Sequence, residues 1–292
     1  MNDRLVEASA LIAGAPPDRI DFLHSVLAQC GLPHRNPGDV RTWDRRQGMV
    51  SLRIEAGSAI DPRTGKFAEL GLPYGEKPRL VLIHLSSEAI RTGSPVLEVE
   101  DSLTAFVRSL GLDTGGRTLR TLKDQLGRLA VATIRLGLTE DGHAVQVNTQ
   151  IADGLDLWAP ADPRQRVLWP SMVRLSARYF ESLQRHAVPL DHRAIGALAG
   201  SSLALDVYSW LAQRLHRVRP GRPQLVAWPA LKGQFGPDFD RLRDFRARFL
   251  GTLRQVLVAY PQARIEATEP GLVLHHSPPP VPRRSFPTLG KP

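Results

Sequence analysis

The stretch GGRTLRTLKDQLGRLA, residues 115–130, decides how this sequence is interpreted. An α-helix advances about 100° per residue, and on that wheel four leucines share one face: Leu119, Leu122, Leu126 and Leu129. The opposite face is mostly basic and carries Arg117, Arg120, Asp124 and Arg128, with Thr121 and Lys123 at its flanks. Because Asp124 can pair with an arginine one turn away, the stretch alone fits either a solvent-exposed helix or a helix that lies in a groove of nucleic acid.

The neighbours of this helix favour nucleic acid. Before it, residues 78–93 predict a helix, 94–101 a strand, and 102–112 a helix capped by Asp101 or Ser102 and closed by Gly111. After it, VATIRLGL and HAVQVNTQI predict two strands joined at Asp141-Gly142. This order of elements is that of a winged helix-turn-helix, in which such a helix enters the major groove.

The same order recurs in residues 191–276, without residue-level identity. Its long helix, 237–260, predicts one apolar stripe made of Leu242, Phe245, Phe249, Leu253, Val256 and Tyr260. We therefore expect an α+β fold with two winged helix-turn-helix domains in tandem. The predicted segments are an N-terminal segment (1–78), a first winged domain (79–151), a connection with a strand at RVLW (152–190), a second winged domain (191–276) and a Pro-rich disordered tail (277–292).

The N-terminal segment gives weaker signals. Residues 1–16 predict poor order, and PPDRIDFLHSVLAQCGLP, residues 16–33, predicts one short helix. MVSLRIEAG alternates like a strand, whereas residues 60–78 are rich in Gly and Pro and predict a loop. In the connection, SMVRLSARYFESL predicts a strand and a turn.

Composition limits the class of protein. The 292 residues carry a net charge of +9, which points to an anionic partner, nucleic acid or a membrane surface. One cysteine, Cys30, excludes an internal disulfide and fits a reducing cytoplasm, where we expect it to be a buried thiol. No apolar run approaches the roughly 20 residues of a membrane span, and the N-terminus does not resemble a signal peptide. We therefore expect a cytoplasmic protein with DNA or RNA as its partner and no membrane association.

Candidate DNA contacts follow from the two long helices, since Arg reads guanine and Thr can touch a thymine methyl. The predicted DNA-binding residues are Arg117, Arg120, Thr121, Lys123, Arg128, Arg241, Arg243, Arg246 and Arg254. Arg248 lies at a flank, and Arg264 and Lys232 are weaker candidates. Asp124 is unassigned, and either orients an arginine or accepts from cytosine.

Three segments resemble the plasmid-encoded RepA replication initiators of Gram-negative broad-host-range plasmids: PYG-x-KPRL, DSLTAFVR-x-LGL and GGR…LK-x-QL-x-RL. The similarity is dense over residues 72–137 and looser to about residue 276. It implies a protein that binds repeated double-stranded DNA sequences in a plasmid origin, helps to open it and recruits host replication proteins such as the initiator and the helicase. It also implies two winged domains and a switch between monomer and homodimer. No single base contact is carried over.

The sequence lacks the nucleotide-binding, metal-binding and catalytic motifs that would indicate an enzyme. Gly65-Lys66 is followed by Phe67, so the P-loop pattern is absent, and no two histidines are spaced i,i+2 as in metal-dependent nicking enzymes. Tyr179 is interpreted as an aromatic core or interface residue and not as a nucleophile, and no catalytic residue, metal or cofactor is predicted. Two alternatives stay open: a winged-helix transcriptional regulator or autorepressor, and a DNA nickase or recombinase.

Overall fold

The computed structural model describes residues 3–61, 64–98, 100, 102–140, 143–150, 152–154 and 172–282. The chain divides into two compact units, here the first winged unit (residues 24–187) and the second winged unit (residues 1–23 with 188–292). The predicted domain boundaries do not coincide with these units. Residues 24–78 supply strands to the first unit, and residues 1–23 supply a helix to the second, so neither range is a separate segment.

The N-terminal residues of the second winged unit form helix α1 (Asp3–Gly14) and strand β1 (Ile20–His24). The prediction of poor order for residues 1–16 is therefore wrong. The buried residues Leu5, Ala8 and Ile12 give α1 an apolar face at helical spacing. Arg193 donates to the carbonyls of Leu11 and Ala15, at 2.8 and 3.0 Å, and so binds the end of α1.

The first winged unit confirms the predicted winged helix-turn-helix order. Its elements are α2 (Ser25–Gln29), β2 (Thr42–Gln47), β3 (Val50–Glu55), β4 (Ser58–Ile60), β5 (Phe67–Glu69), α3 (Glu76–Thr92), β6 (Val96–Glu98), α4 (Leu103–Ser109), α5 (Gly116–Val131), β7 (Thr133–Glu140), β8 (His143–Gln150), β9 (Ala152–Gly154), β10 (Met172–Leu175) and α6 (Ala177–His186). Strands β7 and β8 are the wing, and they belong to an antiparallel sheet of order β2-β3-β7-β8. Ser102 caps α4 by accepting from the Ala105 amide at 3.2 Å; Asp101, Asp141-Gly142 and RVLW lie outside the described residues.

Three local predictions for residues 16–187 need correction. The single helix predicted for residues 16–33 is β1 followed by the short α2, because a run of buried residues fits a strand as well as a helix. Residues 58–69 form the hairpin β4–β5, where Gly and Pro in residues 60–78 suggested only a loop. The turn predicted after β10 is helix α6, which Ser176 caps by accepting from the Tyr179 amide.

A buried arginine holds the start of α3. Arg79 is 4% exposed, and its guanidinium donates to the carbonyls of Leu32, Pro33 and Gly75 at 2.6–3.1 Å. Such charge-assisted hydrogen bonds stabilise a buried cation that would otherwise be costly to desolvate. Arg79 therefore joins the loop after α2 to the turn that precedes α3.

The second winged unit repeats the winged order, as predicted. After β1 it comprises β11 (Ala187–Asp191), α7 (His192–Leu198), α8 (Ser202–Arg214), β12 (Gln224–Ala227), α9 (Trp228–Phe235), α10 (Leu242–Ala259), β13 (Ile265–Ala267) and β14 (Gly271–Leu274). The wing strands β13 and β14 form a sheet of order β12-β14-β13. The predicted disordered tail begins too early, because Ser277 and Val281 are fully buried and the Tyr260 hydroxyl donates to the Pro278 carbonyl at 2.6 Å. Residues 283–292 lie outside the described part of the chain.

We predict that Cys30 is inert in the folded protein. It is buried as expected, and burial raises the pKa of its thiol to about 12, so the reactive thiolate is scarce at neutral pH. Ellman's reagent at pH 8 should react slowly with the native protein and release one equivalent of thiolate rapidly after unfolding in guanidinium. Rapid stoichiometric reaction of the native protein would contradict this packing.

Candidate nucleic-acid interface

Helix α5 is oriented by its apolar face. Leu122, Leu126 and Leu129 are buried as predicted, while Leu119 is only half-buried. A fourth buried residue, Gln125, lies between Leu122 and Leu129 on the same face. The polar side of α5 must therefore face away from the core of the unit.

Three predicted DNA-binding residues are exposed on this polar side. Arg117, Arg120 and Lys123 project into solvent from successive turns of α5. Among the described residues, no hydrogen bond or ion pair engages these three side chains. They form a basic surface, here called the α5 basic face, which suits an anionic partner.

Two other predicted residues point elsewhere. The Arg128 side chain is 18% exposed; its Nε donates to Asp124 at 3.0 Å and its Nη1 donates to the Leu72 carbonyl at 3.3 Å. Its guanidinium also lies 5.2 Å from the centre of the Tyr74 ring. Thr121 is half-buried and its hydroxyl donates to the Arg117 carbonyl at 2.9 Å. Arg128 and Thr121 are thus engaged within the unit.

The role of Asp124 follows from the same contacts. Its carboxylate accepts from both Arg128 and the Gln125 amide, the latter at 2.9 Å. The other end of Gln125 accepts from the Tyr74 backbone N–H at 2.7 Å. Asp124 orients an arginine, which was one of its two predicted roles. Gln125 was not predicted, although a glutamine within a leucine stripe signals a buried amide that needs partners.

Helix α10 gives the second unit a comparable surface. Phe245, Phe249, Leu253, Val256 and Tyr260 are buried as predicted. Leu242, predicted to join them, is 40% exposed because it starts the helix at the edge of the packed face.

The arginines of α10 differ in their surroundings. Arg241, Arg248 and Arg254 are exposed, and Arg243 is exposed beside Asp244, with which it pairs at 3.3 Å. Arg246 instead lies over the Trp228 ring, 4.9 Å from its centre, and donates to the Thr268 carbonyl at 3.4 Å. Of the weaker candidates, Arg264 is exposed and Lys232 is half-buried.

Tyr179 occupies the core, as predicted. It is fully buried, its hydroxyl lies 3.0 Å from that of Ser86, and burial raises its pKa to about 12. Within the described ranges, His, Cys, Asp and Glu form no group arranged to hold a metal ion. No helix in the described part of the chain has both the length and the apolar character needed to cross a membrane.

The fold and these surfaces define a tandem winged-helix protein, and comparisons with known proteins agree. Residues 72–229 match the family described as "Plasmid encoded RepA protein". This range is more than half of the chain, and the chain belongs to that family. The matched range contains all of α5 but ends before α10.

Solved structures share the fold at low sequence identity. A crystal structure of domains 2 and 3 of RctB has a TM-score of 0.51 and 13% identity, and covers 80% of this chain and 84% of that one. A second crystal structure of RctB domains 2–3 has a TM-score of 0.50 and 12% identity, and the match covers 82% of this chain and 83% of that one. No curated protein matched the chain.

We predict that Arg128 stabilises the first unit and that Arg120 does not. Arg128→Ala removes hydrogen bonds and packing and should lower the free energy of unfolding by about 1–2 kcal/mol. Arg120→Ala, a matched change in the exposed α5 basic face, should alter it by less than about 0.5 kcal/mol. Urea unfolding followed by circular dichroism measures both. Equal effects of the two substitutions would contradict the different roles assigned to these arginines.

Proposed function

We propose that the protein is a plasmid replication initiator that binds repeated double-stranded DNA in the plasmid origin through its two winged units. The observation that carries this proposal is the α5 basic face, which occupies the recognition position of a winged helix in a member of the plasmid-encoded RepA family. Membership of that family supports the replication role.

The exposure of each α5 side chain indicates its role in this proposal. Arg117, Arg120 and Lys123 are available to a major groove, where an arginine can donate two hydrogen bonds to guanine. Arg128, oriented by Asp124, holds the helix to the unit, and neither residue takes a direct part in binding. In the second unit, Arg241, Arg243, Arg248 and Arg254 have the exposure that DNA binding requires, whereas Arg246 supports the packing of α10 on Trp228.

Three further parts of the proposal derive from the sequence resemblance. These are opening of the origin, recruitment of the host initiator and helicase, and a switch between monomer and homodimer. The protein needs no catalytic residue for this role, because duplex opening is then driven by binding energy. Repression of its own gene would use the same surfaces, since the required contact is again sequence-specific DNA binding.

The proposal predicts that Arg120 reads a base. Arg120→Ala should weaken binding to origin repeats by about 1–3 kcal/mol and change little on unrelated duplex of the same length. The control Arg91→Ala removes an equal charge from the end of α3, where Arg91 pairs with Glu88, and should leave affinity unchanged. Fluorescence anisotropy across a salt series measures these affinities.

Two results of that experiment would count against base reading by Arg120. An equal loss on every sequence, with a shallower salt dependence, would assign Arg120 to the phosphate backbone. Unchanged affinity on all DNA would remove α5 from the interface.

A plasmid-maintenance assay distinguishes a replication initiator from a transcriptional regulator. A plasmid without this gene should fail to replicate, and supplying the protein in trans should restore replication. Arg120→Ala supplied in trans should restore it poorly, and Arg91→Ala should restore it fully. Normal replication without the gene would reject the initiator role and leave the transcriptional regulator.

A further inference from the structure

The hairpin β4–β5 exposes a large apolar pair. Ile60 is 60% exposed and Phe67 is 73% exposed, and the two are direct partners in the antiparallel register. Directly opposite residues of such a pair project from the same face of the hairpin. Two large apolar side chains displayed together are unfavourable in water and typically mark an interaction surface.

The base of this hairpin is clamped by Arg41. The Arg41 guanidinium donates to the carbonyls of Leu70, Ala56 and Gly57, at 2.6, 2.9 and 3.2 Å. The Leu70 N–H in turn donates to the Gly57 carbonyl at 3.0 Å. A hairpin whose strands have only three residues each is marginally stable by itself. These contacts at its base therefore fix the direction in which the exposed pair points.

The same base rests on α5. A Cβ atom on Gly57 would lie 2.1 Å from the Val131 carbonyl oxygen, so only glycine permits this approach to the end of the helix. Leu70 lies beside Gly127, with its Cδ1 atom 3.8 Å from the place where a Cβ would stand. On the helical wheel Gly127 falls between Arg120 and Lys123. The hairpin therefore leaves the unit next to the α5 basic face.

We propose that β4–β5 is a second DNA-contacting element, in which Ile60 and Phe67 press against a base step of the duplex bound by α5. This inference rests on the proposed function. Near the pair, the sequence carries three basic residues, Arg41, Arg63 and Lys66, against two acidic ones, Asp61 and Glu69, so the net charge is only +1 (three minus two). Its distinctive chemistry is apolar, and apolar side chains that contact DNA act as wedges that loosen the stacking of neighbouring bases.

This contact links binding to opening of the duplex. Binding energy from the α5 basic face would offset the cost of loosening a base step beside it. The hairpin needs no reactive group for this role, since it changes the stacking of bases and breaks no covalent bond.

The test combines two readouts on duplexes that carry origin repeats. The double variant Ile60→Ser/Phe67→Ser should bind these duplexes about tenfold or more weakly, as expected for the loss of a buried Phe and Ile contact. The wild type should also raise the fluorescence of 2-aminopurine at one step of the repeat, and the double variant should not. Thermal unfolding of the variant should match the wild type, because neither side chain is buried.

Two control variants make the result specific. Phe67→Leu keeps an apolar side chain and should retain most of the affinity and the fluorescence change. Met172→Ser removes another exposed apolar side chain, 55% exposed on β10, and should behave like the wild type.

Each outcome bears on a different claim. A serine double variant that binds and unstacks like the wild type would overturn the inference and leave the proposed function intact. A double variant that keeps both DNA properties but loses plasmid replication would overturn the DNA contact and point to a protein partner. Absence of binding by the wild type would overturn the proposed function itself.

Discussion

Burial of the leucine face of α5 is the constraint on which the candidate interface depends. Leu122, Leu126 and Leu129 can leave water only if the helix turns Arg120 and Lys123 outward. Gln125 makes this rotation specific, because its buried amide is satisfied by the Tyr74 N–H and the Asp124 carboxylate. A different rotation would leave that amide unpaired, at a cost of roughly 1–3 kcal/mol. Packing and polar contacts thus select the same surface for solvent.

The residues that carry the family resemblance act mainly as structural supports. In PYG-x-KPRL, Arg79 binds three backbone carbonyls and the Tyr74 backbone binds Gln125 of α5. In the α5 stretch, Asp124 orients Arg128, and Arg128 holds the helix to the turn that contains Leu72. These residues position a helix whose Arg117 and Arg120 side chains face solvent. The second unit reaches a comparable result with aromatic packing, where the Trp228 ring contacts Phe249 of α10 and Arg246 covers the Trp228 ring.

The sequence predicted the parts of the fold that local patterns determine. The order of elements in both units, the Ser102 cap and the leucine face of α5 all follow from periodicity and capping within a few residues. Local patterns did not predict the features that depend on contacts between residues far apart in the sequence. Arg128 turns inward because of a carbonyl 56 positions earlier, and β1 is a strand because β11 pairs with it. The joining of residues 1–23 to residues 188–292 is likewise invisible to any local pattern.

The most direct test of the account is hydroxyl-radical footprinting, with guanine methylation protection, of the protein on its own plasmid DNA. We expect protection of several direct repeats, with guanine N7 atoms shielded in each repeat because an arginine of a winged unit occupies the major groove. Protection of one short palindrome without repeats, or no protection anywhere on the plasmid, would contradict it.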